Sequence, residues 1–165
     1  MATFSLAGTL RIVPTWVDAL DATTITDKTT ASLVFSLEHG SGAGQANCYW
    51  RDVVTVADGD TVDLDLTALP TNTFGGSGSM WLASVKILLI ENRSETIQCA
   101  IQTTAVNRWT GWTDATYAVI DPLGVIYAVS PGAGFTVGNS SKILSITNGG
   151  GAAADVAIYL VGVLD

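Results

Sequence analysis

Short apolar or alternating runs, each stopped by Gly, Asn, Asp or Pro, follow one another along the whole chain. This punctuation constrains the fold more than any motif does. Residues 33–37, 53–56, 62–66, 85–90, 143–146 and 156–163 are rich in β-branched side chains and bounded by turn clusters, the pattern of strands in a sandwich. No dozen consecutive residues keep a helical period. Eight or more strands in one layer would curl or split, so two packed sheets are expected. The chain reads as all-β, a single antiparallel β-sandwich that is jelly-roll-like, with a related Greek-key sandwich as the next topology.

The 165 residues suit one domain, since domains cluster near ~100–150 residues. The sandwich is assigned to residues 1–165, with 1–30 as an N-terminal arm or edge strand. Residues 3–13 form a strand ending at Pro14, 15–20 a second strand or one helical turn, and 23–30 a threonine-rich connection or edge strand. Charged residues make up only 13% of the chain, about half the usual ~25%. A surface this poor in charge is either covered in part by copies or partners, or made polar by Ser, Thr, Asn and Gly. Several strands look apolar on both faces, which favours the covered surface.

The net charge is −8, and Arg11, Lys28, Arg51, Lys86, Arg93, Arg108 and Lys142 are scattered singly. Such a surface repels phosphate backbones, so no direct nucleic-acid partner is expected. No apolar run approaches the ~20 residues of a membrane span. The start, Met1-Ala2-Thr3-Phe4-Ser5-Leu6, has neither a basic segment nor an apolar signal core, so synthesis in the cytoplasm without a signal peptide is expected.

Three loops carry specific expectations. Gly40-Ser41-Gly42-Ala43-Gly44 is mobile or needs positive φ. Asp58-Gly59 between 51–56 and 61–66 signals a hairpin. A three-residue loop with left-handed Gly59 would set Val54, Val56, Val62, Leu64 and Leu66 on one face, with Thr55, Thr61, Asp63 and Asp65 on the other. Asp121-Pro122-Leu123-Gly124 breaks the 119–129 run. Residues 80–90 read as a central strand, interrupted by Ser84 and Lys86.

Chemistry-bearing residues are sparse. His39 is the sole histidine, and no Gly-x-Ser-x-Gly elbow accompanies it, so no catalytic triad and no catalytic residue is assigned. One His and two distant cysteines, Cys48 and Cys99, fall short of a zinc site. The cysteines read as buried free thiols, with a bridge between neighbouring strands as the alternative. Asp58, Asp60, Asp63 and Asp65 are dense but lack the spacing of a calcium loop. No metal or cofactor is assigned. Trp109 and Trp112 lie in an apparent loop and are the candidates for a ligand platform that would hold a sugar. Val156, Ile158, Tyr159, Leu160 and Val161, on the terminal strand, are the interface candidates.

An ordered series of segments carries a resemblance. It runs through Gly40-Ser41-Gly42-Ala43-Gly44-Gln45-Ala46-Asn47, Trp50-Arg51-Asp52, Asp63-Leu64-Asp65-Leu66 and Val85-Lys86-Ile87. It continues through Glu91-Asn92, Trp109-Thr110-Gly111, Pro122-Leu123-Gly124, Ser130-Pro131 and 142–148. In order and approximate spacing, from Ala31 to Gly162, the chain resembles small virion-associated β-sandwich proteins of tailed bacteriophages and prophages. Trp112 departs from that pattern, which keeps only the first tryptophan, and residues 1–30 match least. The resemblance implies a non-enzymatic virion structural protein, foremost a capsid cement or decoration protein on the capsid exterior. Its implied partners are its own copies, with trimers favoured, and the phage major capsid protein. A tail, neck or spike component, or a carbohydrate- or receptor-binding module, is the alternative.

Overall fold

The computed structural model describes residues 5–12, 15–20, 23–28, 31–71, 78–101, 106–112 and 118–165, with side chains at 5–9 and from 34 onward. These residues form strands and no helix. The N-terminal strands are β1 (Leu6–Ile12), β2 (Thr15–Leu20), β3 (Thr23–Lys28) and β4 (Ala31–His39). They are followed by β5 (Gln45–Ala46), β6 (Cys48–Val56), β7 (Thr61–Asp65), β8 (Leu69–Thr71) and β9 (Gly78–Met80). Then come β10 (Leu82–Asn92), β11 (Cys99–Ile101), β12 (Ala118–Ile120) and β13 (Val125–Val129). The chain closes with β14 (Phe135–Thr136), β15 (Ile143–Asn148) and β16 (Ala154–Leu164).

Eight of these strands make the body. One sheet has the order β13-β10-β16-β6, with β14 also on β10, and the other β12-β11-β15-β7. Every pairing within them is antiparallel. Numbering these eight in chain order, the sheets read 1-8-3-6 and 2-7-4-5. That connectivity is the jelly roll, as expected from the sequence.

Alternate residues of the two sheets meet in one core. Trp50 and Val56 of β6, Val85, Leu88 and Ile90 of β10, and Val156, Ile158 and Leu160 of β16 face Leu66, Cys99, Ile101, Ile120, Leu144 and Ile146. Burying each large aliphatic group contributes about 1.5–3 kcal/mol relative to exposure. Two buried asparagines tie loops to this core. Asn92 Nδ2 donates to the carbonyls of Ile97, Ile120 and Asp121. Asn148 Nδ2 donates to those of Val56 and Ala152.

The β10–β16 ladder skips Ala83 and Lys86, close to the polar interruptions at Ser84 and Lys86. The bulge explains how Val85 and Leu88 both reach the core although they are three residues apart. It also brings the backbones close: a Cβ on Gly162 would lie 2.2 Å from the Ser84 carbonyl oxygen. Lys86, 2% exposed, turns its Nζ to the Gly132 carbonyl. Burial lowers its pKa.

The expected hairpin at Asp58-Gly59 is not a hairpin. β6 pairs with β16 and β7 with β15, in opposite sheets. Residues 57–60 form an arch between the layers, closed by Asp60 N–H to the Ala57 carbonyl at 3.1 Å, with Gly59 at φ 69°. The facing is as expected, because Val54, Val56, Val62, Leu64 and Leu66 all belong to the core. An arch and a hairpin impose the same inward set, so the alternation that selects a face does not select the partner strand.

The N-terminal strands form a ribbon. Leu6 lies opposite Leu37 and Ile12 opposite Ala31, then Thr15 opposite Lys28 and Leu20 opposite Thr23. The register is the same on both sides of residues 13–14 and 29–30. Residues 15–20 are therefore strand, not a helical turn. At the ribbon's base, Leu37, Leu6 and Phe35 pack with Ala46 on Ile87, Val129 and Val161. The loop 40–44 is held in place: Gly44, at φ 71°, donates its N–H to the Pro131 carbonyl at 2.8 Å.

Candidate functional site

The face of the first sheet turned away from the core carries the features best suited to contact. Register aligns Arg51, Tyr159, Leu89 and Tyr127 in one row across β6, β16, β10 and β13. Val53, Ala157, Glu91 and Val125 form the next row. A third row, Tyr49, Val161, Ile87 and Val129, lies at the ribbon base. The base covers much of that third row and leaves apolar surface in the other two: Val125 is 55% exposed and Val53 46%.

Polar groups border this patch. Arg93 donates from Nε to Glu91 Oε2 at 2.9 Å and from Nη2 to Tyr159 Oη at 3.1 Å. Two shallow hollows flank Tyr159. One of about 340 Å³ is lined by Arg51, Asp52, Val53 and Arg93, the other of about 270 Å³ by Leu89, Glu91 and Val125. Two positive and two negative side chains beside apolar ones suit a partner that brings polar and apolar groups together.

The terminal-strand candidates need correction. β16 lies between β10 and β6, so its edges are already paired. Val156, Ile158 and Leu160 are core residues, and Val161 is buried under the ribbon base. Their apolar character on both faces reflects two internal contacts, one with each neighbouring layer. Of the five, only Tyr159 keeps appreciable exposure.

The tryptophan platform also needs correction. Trp109 is fully buried, with Nε1 donating to the Thr136 carbonyl at 2.8 Å and its ring edge-on to Phe135 at 6.4 Å. A side chain consumed by the core cannot stack on a sugar. Trp112 packs half-buried against the same core, and its Nε1 has no hydrogen-bond partner among the described residues. The two indoles do not form an open shelf.

The other polar residues serve the fold. Asp58 Oδ1 accepts the Gly151 N–H, and Asp63 Oδ1 accepts the Ser145 hydroxyl. Asp65 accepts Lys142 Nζ at 2.7 Å as well as the Thr67 N–H and hydroxyl. Burial works against its carboxylate, but the bonds from Lys142 and Thr67 prevail and hold its pKa below the usual range. Three of the four aspartates that raised calcium, Asp58, Asp63 and Asp65, are thus engaged by separate structural partners. Among the described residues no three or more His, Cys, Asp or Glu converge as a metal set. His39 ends β4 at the surface. Cys48 and Cys99 are free and buried.

The sequence reading missed Val53, Val125, Tyr127 and the Arg93–Glu91–Tyr159 network. Their signal was present as apolar residues at outward positions of β6 and β13, but only strand order makes them neighbours. No family model, curated protein or solved structure matches this chain. Among the described residues no helix is long and apolar enough to cross a membrane.

Proposed function

We propose that this chain is a non-enzymatic structural protein of a tailed-phage particle, a cement or decoration protein that bridges shell subunits on the capsid exterior. The supporting observation is a jelly-roll body with apolar surface outside its core: an exposed apolar sheet face, beside which the base of a two-stranded ribbon packs. Jelly rolls recur in capsid and lectin domains, and a fold alone assigns no function. The ordered series of segments between Ala31 and Gly162 supplies the phage context. Burial of Trp109 removes the platform on which the sugar-binding alternative rested.

The mechanism is contact area. Each copy, acting within a homo-oligomer for which three-fold symmetry suits the positions between capsomers, bridges neighbouring shell subunits. Contacts of ~1,000–2,000 Å² are of the size that holds stable complexes. A net charge of −8 suits an exterior position, since like charge disfavours contact with packaged nucleic acid.

Quantitative mass spectrometry of intact particles tests the reading, together with a cryo-EM map of the same particles. Hundreds of copies on the shell are expected. Six or twelve copies would move the protein to the tail or neck. Its absence from the particle would end the virion reading.

A further inference from the structure

We infer that the N-terminal ribbon of one copy of this chain closes over the uncovered outer face of the first sheet of a second copy. Three observations lead there, and none depends on where the protein is used.

The first is the ribbon's isolation. Seven residue pairs join β1 to β4 and six join β2 to β3, a length of ~40 Å at ~3.4 Å per residue. β2 and β3 pair only with each other. A two-stranded ribbon is marginal in water without a surface to lie on. The base has such a surface on its own sandwich, whereas among the described residues no third strand pairs with β2 or β3.

The second is likeness between the contact already made and the one left open. The base packs Leu6 and Leu37 on the outer face of the first sheet. Further along, the same register sets Leu10 opposite Leu33 and Ile12 opposite Ala31, in step with that pair. The next rows of the same sheet face expose Val53, Val125 and Tyr127. A ribbon surface that already fits one strip of this sheet has the chemistry to fit the adjacent strips of another copy.

The third is charge. Residues 15–28 carry Asp18, Asp21 and Asp27 against Lys28. The open face is bordered by Arg51 and Arg93, two of only seven cations in a chain of net charge −8. Glu91 and Asp52 balance that positive charge one for one, so the face is close to neutral. The acidic end of the ribbon meets less repulsion on this balanced face than a chain of net charge −8 offers on average.

The test uses the full chain. Sedimentation equilibrium across a concentration series should show an oligomer whose dissociation constant rises at least tenfold in the double variant Val53→Asp and Val125→Asp. Both side chains are about half exposed, and circular dichroism should show the variant still folded. In a second arm, Ile12→Cys on one copy, at a register position on the ribbon face that carries Leu6 and Leu10, and Tyr127→Cys on another are mixed under oxidising conditions. The native cysteines are buried, and a disulfide between the two copies is expected. A monomer at every concentration would overturn the inference, as would an oligomer indifferent to the two aspartates. So would ribbon cross-links confined to one chain, made with both cysteines on the same copy. A monomer whose patch variant no longer binds phage particles would assign the face to a shell protein instead.

Discussion

The Cys48 thiol sits among core side chains. Burial pushes its pKa from the ordinary 9.0 to about 11, against an opposing backbone hydrogen bond at Gly162. Below pH 9 both folded and unfolded chains hold the proton, so the thiol adds no pH dependence. Between pH 9 and 11 the unfolded chain loses it first, and stability falls as pH rises. A shift of this size corresponds to about 2–3 kcal/mol. The urea midpoint should therefore drop between pH 8.5 and 10.5, and drop less in Cys48→Ala. An equal drop in both proteins would assign the alkaline loss to other groups. At this scale the sequence reading of two buried free thiols agrees with the structure, because an isolated cysteine in a strand behaves as a small hydrophobe. Trp109 defeated the same reasoning. Its neighbours Thr110 and Gly111 signal a loop, yet its indole lies against Phe135 in the core.

Among elements, the connection through Asp58 and Gly59 shows what local pattern can carry. Left-handed Gly59 was legible because few residues turn a chain that sharply. The identity of the paired strand was not, since a strand's inward residues are the same whether its neighbour lies beside it or across the core. Gly59 has φ 69° and open space where a Cβ would stand. Gly59→Val should cost about 1–2 kcal/mol from the left-handed backbone alone, and Gly59→Asn clearly less. Chemical denaturation of the two variants measures this. Equal stabilities would show that the arch relaxes to another turn. β16 makes the complementary point. Its apolar run marked it as an important strand, but one flanked on both sides and covered in part on both faces.

For the whole molecule, stability should be graded from the sheet centre outward. β10 and β16 are flanked by strands on both sides and supply much of the core, whereas β7, β12 and β13 are edges. In hydrogen exchange, the amides of Leu88, Ile158 and Leu160 should exchange only through global unfolding, and those of β12 and β13 much sooner. Uniform protection across both sheets would contradict this gradation. The low charged fraction also changes meaning at this scale. Part of the apolar second face is covered by the chain's own ribbon base, so composition alone overstated the surface left for partners. Tyr49, Val53, Val125 and Tyr127 remain exposed on it.

Strand positions, inward faces and turn sites were decided by the sequence alone, because alternation, β-branching and glycine act over a few residues. Two-sheet packing followed from the number of strands. Only the tertiary structure decided which strands pair, that the 156–163 run is interior, and that Trp109 is core. Those outcomes depend on contacts between residues far apart in the chain, and the same local pattern is compatible with more than one of them.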